Sequence, residues 1–185
     1  MTRVLAFTLV GFAALVLLGP LQNVLGLDMV VLDVPLVIVV YMALADRSPG
    51  LGRLSPRISG GHSDLSGGLT ALLLGYISDV LGGTVKGQHA LALVVVFLVY
   101  RRAARHVYLA STMSVLVVTF SASLLGSMMG LGIMWIAGVP PGLGSLPVAG
   151  VQALLCAGIS PPLIRALRAL DVRLARDRGS RAKIR

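Results

Sequence analysis

Fifteen of the chain's sixteen lysines and arginines fall at alternate junctions between apolar segments. That pattern fits six membrane crossings and no odd number of them. The apolar segments run 4–21, 28–45, 65–81, 88–100, 107–137 and 146–167. Arg3 precedes the first. Arg47, Arg53 and Arg57 follow the second, Arg101, Arg102 and Arg105 follow the fourth, and eight more basic residues run from Arg165 to Arg185. Lys86, between the third and fourth segments, is the exception. Five or seven spans would scatter the arginines over both faces. With six, the positive-inside rule places both termini in the cytoplasm. The expected fold is an all-α, six-helix transmembrane bundle over residues 1–168, followed by a basic cytoplasmic tail, 169–185.

Segment lengths refine this expectation. A span needs about 20 apolar residues. The first, third and sixth segments approach that length, and the fourth is short unless residues 85–88 join it. The fifth holds 31 residues, or about 46 Å as one helix. It therefore tilts strongly, breaks near Gly130-Leu131-Gly132, or projects from the bilayer. No period-two alternation favours a β-barrel. Residues 4–18 after Arg3 resemble a signal peptide but lack a small-x-small site before Gly19-Pro20, so they read as a retained first helix. Tyr41, Tyr100 and Tyr108 fall at cytoplasmic span ends and Trp135 near the outer end of the fifth, as expected for headgroup layers. Tyr76 lies mid-helix, where its hydroxyl is expected to find a partner inside the bundle.

Chemistry-bearing patterns are sparse. His62, His89 and His106 are far apart, and no zinc-protease, nucleophile-elbow, phosphate-loop or dinucleotide motif occurs. Ser78, Asp79 and His89 are too close in one turn for triad geometry. The lone cysteine, Cys156, excludes an internal disulfide and reads as a packing residue. No catalytic residue, cofactor or metal is expected. The net charge of +9 is not spread evenly along the chain, so nucleic acid is not an expected partner. Asp33, before Val34-Pro35, is expected at the outer end of the second span, solvated by water or headgroups rather than holding an ion.

Three groups of residues stand out. Gly75, Asp79, Gly83, Lys86, Gly87 and His89 form a glycine-punctuated hairpin between the third and fourth spans. An ionisable residue there needs a partner. Asp79 is expected to be held by turn amides, Lys86 or His89, fixing the two spans together; the alternative is a simple cap at the headgroups paired with Lys86. Ala122, Gly126 and Gly130, spaced by four, share a helix face suited to close backbone approach, whether to the bundle itself or to a partner helix. Arg165, Arg168, Arg173 and Arg176 open the basic tail. Each basic residue near anionic lipid is worth about 1 kcal/mol, and Leu167, Leu170 and Leu174 suit a continuation of the sixth helix along the inner leaflet.

Gly75-x-x-x-Asp79, then Gly83, Gly87 and Ala90-Leu91, resembles the hairpin of the rod shape-determining MreD family. Pro35 at the head of the second span, the Pro161-Pro162 step and the basic tail are similar too. Lys86, Gln88-His89 and the arginine-rich tail depart from the family pattern. The resemblance implies a non-enzymatic membrane scaffold for cell elongation and peptidoglycan synthesis. Its implied partners are an MreC-like single-pass protein, an MreB-like filament and a glycosyltransferase–transpeptidase wall synthase. The family's fold resembles the substrate-binding subunit of energy-coupling-factor transporters, so the alternative function is a vitamin-binding transporter subunit.

Overall fold

The computed structural model describes residues 2–24, 33–45, 62–82, 87–104, 112–136, 138, 142 and 145–182, with side chains over 4–17, 33–45, 65–81, 87–104, 112–136, 138, 142 and 145–173. Six helices occur among them: α1 Thr2–Val24, α2 Val34–Ala45, α3 His62–Gly82, α4 Gln88–Ala103, α5 Thr112–Ile136 and α6 Ser145–Ala182. The described residues form an all-helical bundle.

The bundle is built around α2. Its sequence, VPLVIVVYMALA, is apolar on every side, and all twelve residues are buried. The other five helices all touch it, with α3–α4 and α5–α6 forming close hairpins around it. The helix starts at Val34 because Asp33 caps it: Oδ1 accepts from the Leu36 N–H at 3.3 Å. Pro35 stands in the first turn, where its missing N–H has no intrahelical acceptor to satisfy. At twelve residues, or about 18 Å, α2 is shorter than the expected second span. Residues 28–32 of that segment lie outside the described residues.

Among the residues with described side chains, two helical stretches are long and apolar enough to cross a membrane, Thr112–Ile136 and Ser145–Arg173, and Val4–Leu17, Val34–Ala45 and Leu65–Leu81 are shorter apolar stretches. The fifth segment is resolved in favour of a continuous α5 of 25 residues, with no break at Gly130-Leu131-Gly132. In α6, of 38 residues, Pro161 and Pro162 lie inside the helix. Pro161 cannot donate to the Ala157 carbonyl, and the Ser160 hydroxyl does so instead, at 2.7 Å. The helix therefore runs on beyond residue 167 into the tail.

Large apolar side chains also cover the outside. Leu5, Leu9, Leu65, Leu98, Val117 and Leu154 all face outward, although a helix in water normally turns a polar face to solvent. Tyr76 belongs to this surface. It is 58% exposed, which corrects the expectation of an inward hydroxyl: the inward face of α3 is already occupied by Ala71, Leu74, Gly75 and Asp79. Tyr41 and Tyr100 are instead buried. Tyr41 Oη donates to Asp171 Oδ2 at 3.3 Å, tying the end of α2 to α6. Tyr100 Oη and Ser121 Oγ lie 2.7 Å apart. Tyr108 falls outside the described residues.

Candidate functional site

The start of α4 is capped by a side chain from another helix. Gly87, at the N-cap position, has φ 92°, a left-handed backbone that favours glycine, and offers no side chain of its own. Asp79, at the end of α3, fills that role. Its Oδ2 accepts from Gly87 N at 2.9 Å and Ala90 N at 3.3 Å. Its Oδ1 accepts from His89 N at 2.9 Å and lies 2.9 Å from His89 Nδ1. An ionised carboxylate only accepts, so Nδ1 carries the proton. One buried carboxylate thus takes three N–H groups that a helix start leaves without intrahelical partners, at the end where the helix dipole favours negative charge.

Close backbone approach makes this reach possible. A methyl group at Gly75 would fall on Ala90 Cα and lie 2.6 Å from Ala90 N. One turn and two turns earlier, Ala71 is fully buried and a methyl group at Gly67 would lie 2.5 Å from the Phe97 ring. Small residues at 67, 71 and 75 therefore lead along one face of α3 to Asp79. The expected hairpin residues Gly75, Asp79, Gly87 and His89 come together here, while Gly83 and Lys86 lie outside the described residues. Sequence reasoning missed Gly67 and Ala71, though their four-residue spacing was a usable signal. Ser78 takes no part: its hydroxyl donates to Leu74 O at 2.9 Å within α3.

The stripe on α5 faces inward. Ala122 is fully buried. A methyl group at Gly126 would lie 3.2 Å from Leu36 Cδ1, and one at Gly130 would lie 3.1 Å from Gln88 Nε2. Its neighbours are thus α2 and α4. Gly126→Leu is expected to destabilise the isolated protein by about 2 kcal/mol through overpacking, read as a lowered Tm in detergent. An unchanged Tm would place the stripe at another surface. In the tail, Arg165 and Arg173 are exposed and Arg168 is half-buried; the side chain of Arg176 lies outside those described.

Beside the hairpin, a cleft of about 240 Å³ opens between α2, α4, α5 and α6. Asp33, Gln88, His89, Ser127, Ser145 and Gln152 supply its polar lining, and Leu36, Leu93, Leu131 and Met134 part of its apolar walls. Asp33 is therefore not simply solvated at a span end; it lines a cleft. Sequence reasoning missed this set because its members come from four helices and form no local motif. Set against known protein families, curated proteins and solved structures, the chain matches none of them.

Proposed function

We propose that the chain is a multi-pass scaffold of the MreD type in the bacterial inner membrane. In this reading it performs no catalysis, keeps both termini in the cytoplasm and binds an MreC-like partner within the wall-elongation machinery. The observation that carries this is the contact set of the hairpin. Gly75, Asp79, Gly87 and Ala90, on which the resemblance rests, meet across one interface, so the motif works as one physical unit. The apolar periphery supports further membrane contact. Arg102 is exposed near the end of α4, at the opposite end of that helix from the Asp79 cap, in keeping with a cytoplasmic basic face, while Arg101 is buried over the Phe97 ring.

The cleft favours a second reading, the small-molecule-binding subunit of a transporter, because its polar groups converge in a concave, partly apolar site. Affinity purification in mild detergent separates the two. Co-purifying MreC-like and wall-synthase subunits support the scaffold; an ATPase-containing energy-coupling module supports transport. Reporter fusions after Tyr100 and Arg185 are expected to read cytoplasmic and one after Gly142 external. An external C-terminus would reject the six-span topology.

A further inference from the structure

Asp33 places a carboxyl group in the cleft wall with no lysine or arginine beside it among the described residues. It accepts one long hydrogen bond, from Leu36 N at 3.3 Å. His89 lines the same cleft and acts on Asp33 through space, with its Nδ1 turned to Asp79 at 2.9 Å. Gln88 spends a donor on the other wall, from Nε2 to Gly130 O at 3.2 Å, which leaves its amide oxygen as an acceptor. Ser127 and Gln152 add further polar groups to the lining. A half-buried carboxylate is stabilised by an opposite charge within a few ångströms, most of all where water is partly excluded.

The geometry points to a binding site for a small organic cation, an ammonium or amidinium group on a short apolar body, seated on Asp33. The charge pairs with the carboxylate, the remaining N–H groups reach the Gln88 oxygen and neighbouring hydroxyls, and the body lies against Leu36 and Met134. About 240 Å³ is below the usual range of pockets for drug-sized ligands, which restricts the body to roughly one ring. The site stands apart from the scaffold reading and would supply a ligand class for the transport reading.

The test titrates the purified full chain in detergent with benzamidine and with phenethylamine, followed by calorimetry. Benzamide and 2-phenylethanol serve as neutral analogues of similar shape. Saturable binding of a cation is expected, with its neutral analogue about tenfold weaker or more. Asp33→Asn is expected to weaken the cation by a similar factor while keeping the α2 cap, since asparagine also caps helices. Ser127→Leu, which fills the cleft and leaves Asp33 in place, is expected to abolish binding; it decides the matter if Asp33→Asn fails to fold. The site is rejected if no cation saturates the folded protein, if neutral analogues bind equally well, or if affinity survives either variant. Partner co-purification is read separately, so failure here leaves the scaffold proposal standing.

Discussion

Replacing Gly75 with valine is expected to force α3 away from α4 and to leave little folded protein in detergent. Overpacking against side chains costs about 1–3 kcal/mol because neighbours shift. At Gly75 the neighbour is the Ala90 backbone, which cannot rotate aside, so a loss of about 3 kcal/mol or more is expected. Displacing Ala90 also pulls its N–H, and those of Gly87 and His89, away from Asp79. Gly132→Ala is the matched control. That glycine is exposed on α5 with nothing within 4 Å of an added methyl group, and alanine is the better helix former by about 1 kcal/mol. Thermal denaturation of both variants measures the difference. Equal stability would mean that the helices part at no cost.

Asp79→Leu is expected to cost about 3–5 kcal/mol, because the buried side chain leaves behind several donors without an acceptor. Asp79→Asn keeps the shape and one carbonyl oxygen, and about half that loss is expected. The imidazole contribution is separable. In a double-mutant cycle with His89→Ala, a coupling of about 1–2 kcal/mol is expected for the 2.9 Å contact. The backbone amides lose their acceptor whether or not His89 is present, so removing His89 rescues only part of the Asp79 loss. Strict additivity in Tm-derived stabilities would remove the imidazole from the clamp and leave the amides alone.

The elements read most clearly from sequence are those with strong local signals. Long apolar runs gave α5 and α6, and glycine spacing around Asp79 drew attention to the α3–α4 contact. The limits have particular causes. Asp33 and Pro35 together set the start of α2, a local capping effect that apolar counting passes over. The hydroxyl of Tyr76 alone argues for an inward position, but which face of α3 turns inward is settled by the small residues at 67, 71 and 75. The cleft had no linear signature, since Asp33, Gln88, Ser127 and Gln152 converge only once four helices have packed.

The Pro161 position in α6 has a mechanical consequence. From Pro162 to Ala182 the helix extends about 30 Å at 1.5 Å per residue. Proline interrupts the ladder of backbone bonds at that point, and the buried Ser160 hydroxyl replaces one rung. The segment beyond is therefore held less by its own ladder than by its packing: Ile164 and Leu167 sit in the core, and Leu163 and Leu170 lie against it. Tyr41 adds a polar tie at Asp171. A force applied to the basic end is thereby delivered directly to α2, the helix around which all the others are packed.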